Sequence, residues 1–153
     1  MSAPIPHHRI GDAARRSGVT AANIRYYEKE GLLPAGVRAD NSYRLYSDTD
    51  VHRLRFIRLC RAMDMSLDEV RTLLSLDLRR KADCAAADRS LSDHLGHVRE
   101  RLAELRALEK QLAALQARCQ GAGDRCHIIE ALHQQADAQP PGLRPAAPAK
   151  RHV

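Results

Sequence analysis

A chain of 153 residues makes one modest domain, or a small domain with an extension. With 25 basic and 19 acidic side chains, the net charge is +6; residues 1–81 hold 15 and 10, a net +5, so the basic excess sits in the front half and points to a polyanionic partner. Aromatic residues are 3% of the chain and Trp is absent, which excludes an aromatic-rich β-sandwich, while abundant Ala, Leu, Arg and Glu favour a mostly α fold. No apolar run approaches the roughly 18 residues of a membrane span. Met1 to Arg9 lacks the apolar centre of a signal peptide. A cytoplasmic location without a membrane partner is expected, and there the four cysteines are thiols or ligands rather than disulfides.

Residues 1–8 carry Pro4, Pro6 and two histidines and read as a flexible N-terminus. A short helix from Asp12 to Ser17 ends at Gly18, and Thr20 caps a second that runs to about Glu30, before Gly31. Two short helices about a glycine-containing turn are compatible with a helix-turn-helix. Leu33 to Tyr46 is rich in turn residues and ends in the alternating Tyr43-Arg44-Leu45-Tyr46, which predicts a hairpin. Ser47 to Asp50 and Ser66 to Glu69 resemble capping boxes opening helices of about Asp48–Ala62 and Leu67–Leu76. Val51, Leu54, Ile57, Met63, Met65, Val70 and Leu73 are the expected core of this front domain.

Beyond about Asp88 the apolar positions are Leu91, Leu95, Val98, Leu102, Leu105, Leu108, Leu112, Leu115 and Cys119, in steps of 4, 3, 4, 3, 3, 4, 3 and 4. That is a heptad stripe with one short step. A lone helix cannot bury such a stripe, and a second copy of the chain is the simplest cover, so a homodimer is expected. Gly121 and Gly123 end the helix, a short helix from about Ile128 to Gln135 follows, and residues 137–153, with four prolines, read as a disordered tail. No nucleophile–base set or phosphate loop argues for an enzyme.

Ile10-Gly11, Arg25-Tyr26-Tyr27-Glu28, Gly31-Leu32-Leu33, Tyr43-Arg44-Leu45-Tyr46 and Leu54 with Phe56-Ile57 resemble, in that order, the MerR family of transcriptional regulators, over about residues 9–130. The resemblance implies a winged helix-turn-helix DNA-binding domain over 9–80 and a linker with a long antiparallel coiled-coil dimerisation helix over 81–118. A metal-binding loop with a short helix follows over 119–136. It also implies an activator and repressor that holds a promoter with an over-long spacer inactive, then distorts the DNA so that RNA polymerase engages both promoter elements. Thr20, Asn23 and Arg25 are expected in the major groove. Tyr26, Tyr27, Arg44 and Tyr46 suit phosphate contacts, joined by Arg38 from the wing. Adjacent helical positions point about 100° apart, so one of Tyr26 and Tyr27 packs inward; the resemblance gives the DNA-facing hydroxyl to Tyr27.

About 34 residues follow Cys119, which leaves no room for a separate drug-binding domain. Two loop cysteines do not suit an iron–sulfur cluster. Cys84 and Cys119 are 35 residues apart, roughly 50 Å along a helix, so one chain cannot bring them to one metal. In the antiparallel dimer that the resemblance implies, Cys84 of one protomer meets Cys119 and Cys126 of the other. Three thiolates suit Cd(II), Pb(II) or Hg(II), and Zn(II) less completely. Copper-sensing relatives have Ser where Cys84 stands, and zinc-sensing relatives usually pair two adjacent loop cysteines, whereas Gln120 follows Cys119 here. Asp83-Cys84 and the spacing of Cys119 and Cys126 look most like the cadmium- and lead-responsive branch, with mercury or zinc as alternatives. His127 is a capping or surface residue or a fourth ligand. His94 and His97 form an exposed polar pair or, with His133, a second metal site. Cys60 reads as a small buried hydrophobe. A structural zinc protein and a thiol redox switch using Cys119 and Cys126 are the other readings.

Overall fold

A computed structural model describes residues 5–34, 43–77, 79–119 and 126–140. Two compact units divide the chain, residues 1–96 and 97–153, and the boundary falls inside a helix. The element order is β1 (His8–Arg9), α1 (Ile10–Ser17), α2 (Ala21–Lys29), β2 (Leu45–Tyr46), α3 (Asp48–Ala62), α4 (Leu67–Leu74), α5 (Lys81–Gln116) and α6 (His127–Ala138). Among the described residues no helix is long and apolar enough to cross a membrane.

In the first unit, local chemistry sets each helix boundary. Gly18 takes the left-handed conformation at φ 71°, and its N–H bonds the Ala14 carbonyl at 2.9 Å. A side chain there would be strained by that φ and would have to push the Arg58 guanidinium aside, which favours glycine. Thr20 accepts the Asn23 N–H at 3.2 Å and starts α2. Ser47 with Asp50, and Ser66 with Glu69, form complete capping boxes, so at the starts of α3 and α4 the cap's own N–H and that of the third helical residue are met by side chains.

These helices close around Ala13, Val19, Ile24, Tyr27, Leu32, Leu33, Tyr46, Val51, Leu54, Ile57, Cys60, Met65 and Val70. A fully buried Ile or Leu in this set contributes about 1.5–3 kcal/mol. Most of the expected core is present, with Leu73 packed partly buried against it. Met63 is not: it follows the last turn of α3 as its C-cap, just before Asp64 at φ 64°, and is 46% exposed.

One expectation at the front edge is corrected, and one lies largely outside the described residues. Leu45–Tyr46 pairs antiparallel with His8–Arg9, with His8 opposite Tyr46, while the rest of the expected hairpin falls on residues 35–42. His8 therefore lies buried in a sheet instead of ending a flexible segment, and the His7 N–H also bonds the Tyr46 carbonyl at 3.0 Å. Residues 35–42, including the expected wing residue Arg38, lie outside the described residues.

Helix α5 begins earlier than its heptad pattern and has no buried residue. From Leu91 to Leu112, seven stripe side chains are 43% to 57% exposed in the single chain. In the second unit, α6 buries Ala131 while Ile129 and Leu132 stay exposed. It extends to Ala138, past the expected start of the tail; residues 141–153 lie outside the described residues.

Candidate nucleic-acid interface and metal centre

Helix α2 turns Ile24 and Tyr27 into the core. Ala22, Arg25, Tyr26 and Lys29 are exposed, and their spacing of three, four and seven puts them on one outward face. Arg25 and Tyr26 thus stand where a groove-reading helix needs them. Lys29 joins them and escaped the sequence reading, although its distance of four from Arg25 is the signal that finds it. Tyr27 is corrected: at 8% exposure it is a core residue, and the outward ring belongs to Tyr26, 47% exposed. Thr20 is exposed as the cap, and Asn23 is half-buried at the first turn.

Arg25 and Arg44 line one open groove together with Arg9, Tyr43 and Tyr46. The Arg9 guanidinium lies 5.8 Å from the Tyr43 ring centre, which extends the cationic rim along β1. Beneath the groove sits Glu28, whose side chain is 4% exposed. It pairs with the Arg44 guanidinium and accepts the Tyr46 hydroxyl at 2.8 Å. Tyr46 is only 2% exposed, so its expected phosphate contact gives way to a structural role. Burial pushes the Tyr46 phenol above its ordinary value, and the Glu28 carboxylate pushes it further, so the hydroxyl stays a donor. Arg44 keeps 36% of its side chain exposed, enough to face the groove while anchored below.

The four cysteines divide by environment. Cys60 is buried on α3, and burial raises its thiol above the usual range, as befits an inert core residue. Cys84, Cys119 and Cys126 are all exposed and free. Cys84 lies in the first turn of α5, Cys119 three residues past its end, and Cys126 at the N-cap of α6, where its side chain makes no capping bond. Residues 120–125 between the last two lie outside the described residues.

His127 and His133 are exposed on α6, and His127 Nδ1 is 3.5 Å from Glu130 Oε2, one turn along the helix. His97 is exposed on α5. His94 is not on an exposed polar face: its Nε2 lies 2.9 Å from the Met63 carbonyl oxygen and its Nδ1 3.0 Å from Glu69 Oε1. The Met63 carbonyl raises the His94 pKa most, burial opposes it, and Glu69 adds to the rise. For Glu69, burial pushes upward, but hydrogen bonds from Ser66 and His94 hold the carboxyl below its ordinary value. A raised histidine stabilises the fold fully below its unfolded value of 6.5, and that contribution is lost as pH rises through the folded value. The lowered Glu69 contributes above 4.5 and fails as pH falls through its folded value. His94→Gln is therefore expected to lower the melting temperature more at about pH 6 than at about pH 8.5. An equal loss at both would show that His94 gains nothing from its charge.

Comparison with known proteins fits this arrangement. Residues 8–77 match the family described as MerR HTH family regulatory protein, and residues 51–115 the one described as MerR, DNA binding. The chain belongs to the MerR family. Its members are DNA-binding transcription regulators rather than enzymes, and the first matched stretch runs from β1 through α4 of this chain. It is 36% identical to the HTH-type transcriptional regulator ZntR of Escherichia coli over 133 residues, 84% of this chain and 94% of that protein. Among solved structures it resembles the transcription regulator PbrR691 of Ralstonia metallidurans in complex with lead(II), at 39% identity and a TM-score of 0.72, covering 82% of this chain and 99% of that one. It also resembles the MerR regulator of Bacillus megaterium in complex with mercury(II), at 28% identity and a TM-score of 0.64, with the same coverage of both chains.

Proposed function

We propose that this MerR-family chain is a homodimeric, metal-responsive transcriptional regulator of a heavy-metal resistance promoter, acting in the cytoplasm with Cd(II) or Pb(II) as inducer. The observation that carries the reading is the division of the cysteines: three exposed thiols beside the ends of α5 and at the start of α6, and one sealed in the core. Three exposed sulfurs suit a large soft cation. Cys84 of one protomer and Cys119 and Cys126 of its partner would hold it, and the two-fold axis would give two such sites. The resemblance to the lead(II)-bound regulator supports this choice.

The exposed stripe of α5 supports the dimer, because an apolar seam of that length is stable only when a second helix covers it. In the dimer, two α2 helices read the halves of a pseudo-palindromic operator, with Arg25, Tyr26 and Lys29 facing DNA. Metal shifts the dimer between DNA-bound shapes only so far as it binds the activating shape more tightly. Twisting and bending promoter DNA takes a few kcal/mol, so the difference in metal affinity need be no larger than that. RNA polymerase then engages both promoter elements. Mercury is the second reading, favoured by the likeness to the mercury(II)-bound regulator and the same soft donor set.

The test is transcription from the cognate promoter with reduced protein, titrated with buffered free Cd(II), Pb(II), Zn(II) and Hg(II). Activation by Cd(II) or Pb(II) at free levels where Zn(II) is inert is the expected result. Activation chiefly by Zn(II) would show that a harder ligand such as His127 completes the site. Activation by oxidant without metal would replace the sensor reading with a Cys119–Cys126 redox switch.

A further inference from the structure

The two histidines at the front of the chain have no part in that reading. His8 enters the sheet at β1, is 4% exposed, and is held between two carboxylates, one four residues further on and one forty. Its Nδ1 lies 2.7 Å from Asp12 Oδ2, and its Nε2 lies 2.7 Å from Oδ1 of Asp48, the first residue of α3. His7 Nδ1 donates to the Ile5 carbonyl oxygen at 2.9 Å, which fixes the proton there and leaves the lone pair on Nε2. That Nε2 is 3.9 Å from the same Asp48 oxygen. Ligand atoms of His7, His8 and Asp48 all lie within 4.8 Å of one another.

The convergence of ligand atoms carries the argument: Nε2 of His7 and Nε2 of His8 face one and the same oxygen of Asp48, at 3.9 and 2.7 Å. The lone pair of His7, the exposed Asp48 carboxylate and open water on that side favour a cation with more than two bonds to make. We propose that His7, His8 and Asp48 form a second metal site, separate from the thiols, for a divalent first-row cation such as Zn(II) or Ni(II). Two imidazoles and one carboxylate with positions left for water suit these borderline ions better than soft Cd(II) or Pb(II). Asp12 orients His8 from behind, the arrangement in which a carboxylate fixes the tautomer of a ligating histidine.

Bonds to the metal of about 2.0–2.2 Å require the two close atoms to separate by several tenths of an ångström. Asp48 can yield, since its side chain is 74% exposed, while His8 stays fixed by packing. Ligation needs neutral imidazoles and an ionised carboxylate, so affinity falls in acid. The bound ion would tie β1 to the start of α3, 40 residues away in sequence, and stabilise the DNA-binding unit by mass action.

The test uses the full chain with Cys84→Ser, Cys119→Ser and Cys126→Ser, which removes the exposed thiols, and Co(II) as the probe metal. The expected result is one equivalent of Co(II) per chain, with visible bands of nitrogen and oxygen ligation, no sulfur charge-transfer band, and a higher melting temperature. His7→Ala, at an exposed position, and Asp48→Asn should each weaken binding at least about tenfold and cancel the thermal shift, and Asp12→Asn should weaken it about tenfold. Absence of Co(II) binding, binding that survives both His7→Ala and Asp48→Asn, or binding lost with His94→Gln instead would each overturn the proposal. Because the readouts are binding and stability, failure here leaves the thiol-sensor reading intact.

Discussion

Serine at Cys84, Cys119 or Cys126 is expected to abolish metal-induced transcription while operator binding without metal stays near the wild-type level. Replacing sulfur with a hydroxyl keeps nearly the same volume but removes a soft donor, and a three-ligand site has none to spare. All three positions are exposed in the single chain, so none of the changes disturbs its core. The matched control is Cys60→Ser on α3, which places a hydroxyl in the core and lowers stability by about 1–3 kcal/mol but leaves metal selectivity unchanged. Run-off transcription across a free-metal series, beside an operator mobility shift on the same samples, separates the two effects. Normal induction in any one of the three exposed-thiol variants would remove that residue from the site. Equal loss of operator binding would show that the thiols support the fold rather than sense metal.

Much of the fold was legible because its signals are local. Gly18, the Thr20 cap and the two capping boxes each act within four residues, so sequence spacing alone identifies them. The heptad stripe of α5 was legible for the same reason, as a period repeated along one helix. What escaped depends on contacts between distant residues. Alternation in Tyr43 to Tyr46 announces a strand but not its partner, which lies at His8 and Arg9. The Tyr26-Tyr27 pair shows that one ring turns inward, and only burial in the same core as Ile24 and Tyr46 selects Tyr27. His94 reads as half of a surface pair until α4 brings Glu69 against it. His8 carried no signal at all, because one of its carboxylate partners is 40 residues away. At the candidate DNA face the sequence pointed to Arg25 but gave the outward ring to Tyr27 rather than Tyr26, and the exposed thiols were told from the buried one by the apolar neighbours of Cys60.

Glu28→Ala is expected to be strongly destabilising to the DNA-binding unit. The Glu28 carboxylate is the shared acceptor for Arg44 and Tyr46, and it is almost wholly out of water. Removing it strands a guanidinium whose Nε is already buried without a hydrogen-bond partner among the described residues, and a buried phenol whose donor loses its target. Breaking a buried charge pair costs about 3–5 kcal/mol; the partial exposure of Arg44 lets water recover some of this, so a loss of about 2–4 kcal/mol is expected. Tyr46→Phe removes one hydrogen bond and should cost about 1 kcal/mol. The two losses should not add, since both act through one carboxylate. Urea unfolding of Glu28→Ala, Tyr46→Phe and the double variant measures this coupling. A loss below about 0.5 kcal/mol for Glu28→Ala would mean that the carboxylate is hydrated after all. Arg44→Ala separates structure from recognition: it leaves Glu28 unpaired, and it also withdraws a cation from the groove shared with Arg25. Its operator affinity should therefore fall further than that of Tyr46→Phe at matched stability, and the slope of affinity against salt should become shallower by about one phosphate contact. An unchanged salt slope would confine Arg44 to holding Glu28 and leave the reading of DNA to the outward face of α2.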